Sequence, residues 1–157
     1  MGFVITEDSP EREDVRALIA EHLADMFATS SPESVHALDV SALLEPTITF
    51  WTARQEDGTL LGTAAIKRLT VGGELKSMRT PRAARGLGAG RALLEHAIAE
   101  ATARGWSALW LETGTQDYFV PARTLYASRG FVECGPFEGY ALDPESTFMR
   151  LDLAERA

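Results

Sequence analysis

The sequence feature that most constrains the fold is a change of hydrophobic period near the middle of the chain. Residues 47–80 are rich in β-branched and aromatic side chains, and glycine-containing turn signals interrupt them twice. This pattern predicts an antiparallel meander of three strands over residues 47–54, 60–68 and 74–80. In the next segment, 87–101, apolar residues recur at three- and four-residue steps, which is the period of an amphipathic helix.

That helix leads into a short buried strand. Residues 108–111 are Ala-Leu-Trp-Leu, and Gly105 before them is a natural helix end. A strand, a helix and a second strand in this order place the two strands side by side and parallel, with a right-handed connection. The meander and the crossover together therefore predict one mixed sheet.

Further elements are predicted on either side of this unit. A strand over residues 3–6 precedes a helix that begins near Pro10 and ends before Ser30. A second helix over residues 121–128 ends at Gly130. The last part of the chain predicts two closing strands, over residues 131–133 and 147–153.

The first of these helices has an apolar and a polar face. Asp25 belongs to the polar face and is predicted to point outward. The apolar face consists of Val15, Leu18, Ile19, Leu23, Met26 and Phe27. The segment after it, 33–44, predicts one or two short helical turns.

Length, charge and cysteine count exclude several classes of protein. The 157 residues favour a single domain over residues 1–157, and the formal net charge of -8 disfavours nucleic acid as a partner. The sequence shows neither a membrane-spanning apolar run nor a signal peptide, so a cytoplasmic protein with no membrane partner is expected. The single cysteine, Cys134, excludes an internal disulfide and a multi-cysteine metal site, and no metal is expected.

A glycine-rich loop lies between the last strand of the meander and the crossover helix. Its sequence is Arg85-Gly86-Leu87-Gly88-Ala89-Gly90-Arg91. Alternating glycines allow a ligand to approach the backbone closely, and the first amides of the helix lack partners within the helix. Those amides and the helix dipole favour an anion, and the two arginines add positive charge. The loop therefore predicts a phosphate or pyrophosphate site.

Two common phosphate loops do not fit this segment. A Walker loop needs a lysine followed by serine or threonine, and no lysine lies near. A Rossmann fingerprint begins with Gly86 and Gly88, and Glu112 follows at about the right distance, but Arg91 stands where the third glycine belongs. A dinucleotide-binding oxidoreductase is therefore the less favoured alternative.

The pattern Arg-x-x-Gly-x-Gly, formed by Arg85, Gly88 and Gly90, resembles the coenzyme A pyrophosphate loop of the GNAT superfamily of acyl-CoA-dependent N-acyltransferases. A second family element follows it in the right order, the run Ala-x-x-Leu-Tyr-x-x-x-Gly-Phe over residues 122–131. The chain is similar above all to the YsnE-like group of bacterial acetyltransferases. The resemblance covers nearly the whole chain, most securely residues 74–131.

The resemblance implies an α/β (α+β) fold with a GNAT-like mixed central sheet of about six to seven strands and helices on both faces. The strands around residues 74–80 and 107–113 would form a parallel pair that splays apart. Acetyl-CoA is the implied co-substrate. Its implied contacts are Met78, Arg79, Thr80, Arg85, Gly86, Leu87, Gly88, Ala89, Gly90, Arg91 and Tyr126.

The resemblance also implies two catalytic residues, Glu74 and Tyr126. Glu74 would accept a proton from the amine, or it is simply a solvated strand end. Tyr126 would protonate the leaving thiolate, or it is an aromatic that packs the helix. Glu112 is the alternative base or a contact to the acceptor, and His36 is a candidate contact in the connection that often lines the acceptor pocket in this family.

Two positions depart from the family pattern. Phe119 stands where many members carry an asparagine that contacts the pantetheine arm, and Arg82 stands where a proline is common. The expected activity is direct transfer of the acetyl group of acetyl-CoA to a primary amine of a small molecule or to an N-terminus, in a ternary complex. The alternative is a non-catalytic domain that binds or senses acyl-CoA. The identity of the acceptor and the formation of a homodimer stay open.

Overall fold

A computed structural model describes residues 3–29 and 40–153. Within these ranges the strands form one sheet in the order β1-β2-β3-β4-β5-β7-β6. The strands are β1 (Phe3–Glu7), β2 (Ile48–Gln55), β3 (Leu60–Arg68), β4 (Gly73–Arg79), β5 (Ala108–Gly114), β6 (Val132–Cys134) and β7 (Ser146–Asp152). The helices are α1 (Glu13–Thr29), α2 (Ala89–Ala103) and α3 (Val120–Ser128). The predicted mixed sheet is confirmed.

The meander and the crossover both form as predicted. Strands β1 to β4 pair antiparallel with their neighbours, and β4 and β5 are parallel. The crossover helix begins later than its apolar pattern indicates, because Gly88 adopts a left-handed conformation with φ of 86° and acts as the N-cap of α2. Leu87 consequently lies in the loop and is exposed.

The parallel pair separates soon after it begins. Only Gly73 and Glu74 of β4 are in register with β5. Beyond them β4 contains a bulge, since two residues of β4, Ser77 and Met78, lie opposite a single residue of β3, and Ser77 has a φ of 54°. The Thr63 hydroxyl holds the bulge by donating a hydrogen bond of 2.7 Å to the Ser77 carbonyl. The bulge therefore turns β4 away from β5 and opens a gap in the sheet.

Helices cover both faces of the sheet, as predicted. Alternate residues of β3 show the division: Ala65 packs in the apolar cluster with α1, whereas Ala64 and Ile66 pack in the cluster with α2 and α3. On β4, Leu75 and Met78 belong to the α2 cluster. The gap between β4 and β5 connects the space on one face of the sheet with the space on the other.

Two predictions about α1 are wrong at its C-terminal end. Asp25 does not point outward, because its carboxylate accepts hydrogen bonds from Tyr118 and Arg82. Phe27, two residues later and so on roughly the opposite side of the helix, is 55% exposed. Of the helical turns expected over residues 33–44, one 3-10 turn forms at Ala42–Leu44. Residues 30–39, which include His36, lie outside the described residues.

Across residues 3–29 and 40–153, no helix is both long enough and apolar enough to span a membrane.

Candidate active site

The gap between β4 and β5 opens into a cavity of about 480 Å³, a size typical of small-molecule sites. The predicted coenzyme A residues line it, with the exception of Leu87. Glu74, Glu112 and Tyr126 line it as well. The tertiary structure thus brings together every described candidate residue but one.

The glycine loop forms one end of this cavity. Gly86 and Gly88 have φ angles of 82° and 86°, and a Cβ atom built on either would meet nothing within 4 Å. The space above the loop is therefore open to a ligand. No side chain caps the N-terminus of α2, so its first amides are available to an anion. This arrangement fits the diphosphate of coenzyme A.

The two arginines that flank the loop are both exposed. Arg91 donates a hydrogen bond of 3.1 Å to the hydroxyl of Ser128 on α3. Arg85 lies near Tyr118. Burial and Asp25 raise the pKa of Tyr118, and Arg85 opposes them with a smaller lowering effect. Both arginines can move toward a diphosphate without breaking a buried contact.

Tyr126 of α3 lies on the same side of the sheet as α2. It is buried, packs against Phe131 at 5.8 Å between ring centroids, and belongs to the apolar cluster of α2. Burial raises the pKa of its hydroxyl, so the hydroxyl stays protonated at neutral pH and can act as a proton donor.

A polar group that we call the Glu74 cluster, formed by Glu74, Lys76, Tyr140 and Glu112, lies on the opposite face of the sheet from Tyr126. Tyr140 donates a hydrogen bond of 2.7 Å to the Glu74 carboxylate, and the Lys76 ammonium lies 2.9 Å from the same oxygen. The Glu74 side chain is only 5% exposed. Its interpretation as a solvated strand end is therefore wrong.

Charge is concentrated in the Glu74 cluster. Burial, followed by Glu74 and then Glu112, raises the pKa of Tyr140, which keeps its hydroxyl protonated. Glu112 itself accepts a hydrogen bond of 2.8 Å from the hydroxyl of Ser146 on β7. The cluster thus offers two carboxylates to a cationic amine or to its proton.

Sequence reasoning missed Lys76 and gave Tyr140 no role. Lys76 could have been identified from the sequence, because residues two apart on a strand share one face and this rule places Lys76 beside Glu74. Tyr140 carries no such signal, since 66 residues separate it from Glu74. Only the folding of the segment between β6 and β7 brings it to the carboxylate.

A third polar group lies where α1 approaches the cavity and contains His22, Arg79 and Tyr118. Burial, and secondarily the charge of Arg79, lowers the pKa of His22 to about 3, so the imidazole is neutral at physiological pH. Burial lowers the pKa of Arg79 to about 10, which leaves it charged. Its Nε and Nη1 atoms are buried and make no hydrogen bond within the described chain.

The structure explains both departures from the family pattern. Phe119 packs its ring on Gly114 at the end of β5, so closely that a Cβ atom on the glycine would lie 2.2 Å from it. Arg82 pairs with Asp25 and approaches Glu21 at 3.8 Å, which ties the segment after β4 to α1. Aromatic packing and ion pairing thus replace the amide and the proline.

No group of three or more His, Cys, Asp or Glu side chains suited to a metal ion occurs in the described ranges.

A sheet opened between two parallel strands, with a glycine loop and a helix N-terminus at one end of the gap and buried ionisable side chains beside it, is the arrangement typical of an acyl-CoA-dependent transferase. The model of the acetyltransferase (GNAT) family matches residues 15–131, and the chain belongs to this family. The predicted resemblance is confirmed.

The chain is similar to bacterial relatives over nearly its whole length. It is 48% identical to the uncharacterized N-acetyltransferase YsnE of Bacillus subtilis, over 88% of this chain and 92% of that protein. It is 44% identical to the uncharacterized N-acetyltransferase YedL of Escherichia coli, over 98% and 96%. A crystal structure from Klebsiella pneumoniae, assigned as an acyl-CoA N-acyltransferase, superposes with a TM-score of 0.82 at 31% identity and covers 97% of this chain and 98% of its own.

These findings confirm that the chain is an enzyme, an acetyl-CoA-dependent N-acetyltransferase.

Proposed function

We propose that this enzyme transfers the acetyl group of acetyl-CoA directly to a primary amine of a small molecule or to an N-terminus, in a ternary complex. The observation that carries the proposal is the placement of buried Glu74 and buried Tyr126 along the same cavity as the glycine loop. A proton acceptor and a proton donor then stand on opposite sides of the gap through which an acylated arm would pass.

Acetyl-CoA supplies an activated thioester when it is bound. The amides of Gly88, Ala89 and Gly90, with Arg85 and Arg91, would hold its diphosphate. The backbone of Met78, Arg79 and Thr80 would run along the pantetheine arm, and Gly86 and Tyr126 would contact the coenzyme from the same cavity. The amide of Met78, at the bulge of β4, would donate a hydrogen bond to the thioester oxygen as negative charge develops there.

Two buried groups and the solvent together account for the proton transfers. Glu74 takes the proton of the ammonium group, directly or through water, and Glu112 is the alternative acceptor. The amine nitrogen then bonds to the acetyl carbon as the carbon–sulfur bond breaks, and Tyr126 gives its proton to the departing sulfur. The second nitrogen proton and the proton held by Glu74 leave to solvent, from which Tyr126 regains its own.

We further propose that residues 1–157 form one domain, because a single sheet takes in strands from Phe3 to Asp152. The cytoplasm is the proposed compartment, since it holds acetyl-CoA and primary amines together. A net charge of -8 favours a small or cationic acceptor over nucleic acid.

Glu74→Gln and Tyr126→Phe test this proposal. We expect both variants to bind acetyl-CoA within about twofold of the parent by calorimetry. Turnover on a panel of primary amines and short peptides should fall about 100-fold or more for Glu74→Gln and about tenfold for Tyr126→Phe. Glu138→Gln, outside the cavity, is the control and should keep full turnover. Absence of turnover on the whole panel, or full activity of Glu74→Gln, would refute the proposal.

A further inference from the structure

Arg79 is a buried cation whose charge is not neutralised by the described residues. The residue is 6% exposed and lines the cavity, and two of its guanidinium nitrogens are buried without a hydrogen bond in the described chain. A buried charge without a partner is strongly unfavourable, and a guanidinium carries five donors in a fixed planar fork. The position is therefore maintained at a cost to stability, which is typical of a ligand-binding residue.

The neighbours of Arg79 do not supply the missing anion. His22 is neutral and Arg85 is positive, so neither compensates a cation. Asp25 is the acid beside them, but its carboxylate is held by Arg82 and by Tyr118, the latter at 3.0 Å. No carboxylate in the described ranges comes within ion-pair distance of the Arg79 guanidinium.

The position of Arg79 on the sheet separates it from the coenzyme loop. Met78, its neighbour on β4, packs with the α2 cluster. Arg79 therefore projects from the other face of the strand, where its charge lowers the pKa of His22 on α1. Glu74 and Lys76 lie on this face as well, because Leu75 between them packs with α2. An anion bound by Arg79 would thus lie on the acceptor side of the gap.

We propose that the acceptor is an amino acid or a similar amino-carboxylate, and that the buried, unpartnered Arg79 guanidinium binds its carboxylate on the α1 side of the cavity. This inference rests on the proposed acetyl transfer. Arg79 follows directly after Met78, whose amide is the proposed donor to the thioester oxygen. A carboxylate in two parallel hydrogen bonds with Arg79 would leave the amine of the same small molecule near the acetyl carbon.

The experiment compares amino acids with their amides, which keep the amine and the side chain but lose the negative charge. The L-amino acids and their amides are tested as acceptors with the parent, Arg79→Met, Arg79→Lys and Arg129→Met. Arg129→Met is the matched control, because it removes the same charge at a different place. Arg129 pairs with Glu95 at 2.7 Å and lies outside the cavity. Coenzyme A release gives the rates, and calorimetry gives the affinity for coenzyme A.

We expect the parent to use its preferred amino acid at least about tenfold better than the matching amide in kcat/KM, since an unpaired site group penalises the analogue. Arg79→Met should abolish this preference and leave the coenzyme A affinity within about twofold of the parent. Arg79→Lys should keep part of the preference, because it keeps the charge and loses the fork. Arg129→Met should match the parent.

Three results would overturn the inference. The first is equal or better use of the amides by the parent. The second is an Arg79→Met variant that keeps the preference for amino acids, and the third is one that loses coenzyme A affinity tenfold or more, which would assign Arg79 to the coenzyme. Transfer to amides or simple amines alone would leave the proposed function intact, whereas no transfer to any amine would refute both.

Discussion

The glycine loop and the Glu74 cluster occupy opposite ends of one cavity and are built in different ways. The loop is a contiguous run over residues 85–91, is largely exposed, and presents main-chain amides. The cluster is buried, presents side chains, and draws them from β4, β5 and the segment between β6 and β7. A main-chain site tolerates side-chain change except at its glycines, whereas a side-chain site changes with each substitution. The coenzyme end is thus suited to staying constant while the acceptor end varies.

Gly88→Glu should produce the largest effect and should affect only the loop. The glutamate side chain would place a negative charge, of the same sign as the diphosphate, in the open space over the loop. It would also strain a backbone with φ of 86°. Loss of two charge-assisted hydrogen bonds, at about 1.5–3 kcal/mol each, predicts about a 1,000-fold weaker affinity for coenzyme A by calorimetry.

Gly105→Glu is the matched control for that variant. Gly105 lies just beyond the other end of α2, has a φ of 79°, and also faces open space. Both variants should lose a similar amount of stability, and only Gly88→Glu should lose coenzyme A. Equal affinity in Gly88→Glu and the parent would contradict the assignment of the loop.

Lys76→Met should break the Glu74 cluster and leave the loop intact. Removal of one member of a buried ion pair leaves the Glu74 carboxylate with Tyr140 as its hydrogen-bond donor. We expect the free energy of unfolding to fall by about 2–3 kcal/mol in denaturant titrations, with coenzyme A affinity unchanged. The double variant Glu74→Gln with Lys76→Met should lose less, because no unpaired charge remains.

Lys67→Met provides the surface comparison for this prediction. Lys67 and Glu45 lie 3.7 Å apart and are 36% and 51% exposed. Their pair should contribute less than about 1 kcal/mol. Equal losses in Lys67→Met and Lys76→Met would show that burial does not strengthen the cluster.

The last prediction is a pH dependence of stability that arises from His22 and involves neither the glycine loop nor the Glu74 cluster. Its pKa is lowered to about 3, chiefly by burial and then by Arg79, with a smaller effect of Arg85 in the same direction and an opposing one of Asp25. Below the ordinary pKa of 6.5 the unfolded chain binds a proton that the folded imidazole refuses. Stability should therefore fall on acidification from pH 6.5 toward pH 3, by at most about 1.4 kcal/mol per pH unit.

His22→Gln isolates this contribution. Denaturant titrations between pH 7 and pH 4 should show a shallower loss in the variant than in the parent, and equal stability profiles would contradict the burial of a neutral imidazole. More than about one unit above pH 6.5 the unfolded imidazole is also neutral and the proton linkage of His22 vanishes, so the two profiles should run parallel there.

The local elements followed from the sequence because their causes are local. The meander, the crossover and the cap at Gly105 depend on residue type over a few positions. Predictions failed where a contact with a residue far away in the chain overrode the orientation that the helical period of apolar residues predicts. Asp25 has the period of an exposed residue, yet a hydrogen bond from the hydroxyl of Tyr118, 93 residues away, holds it inward.

The sequence by itself determined the loop, the order of the strands and helices, and the family, since contiguous residues encode them. Only the tertiary structure decided that Tyr140 meets Glu74 and that Arg79 is buried beside a neutral His22. These contacts join residues far apart in the chain through the bulge that parts β4 from β5. Burial and pairing depend on the position of every packed element at once, and no short stretch of sequence carries that information.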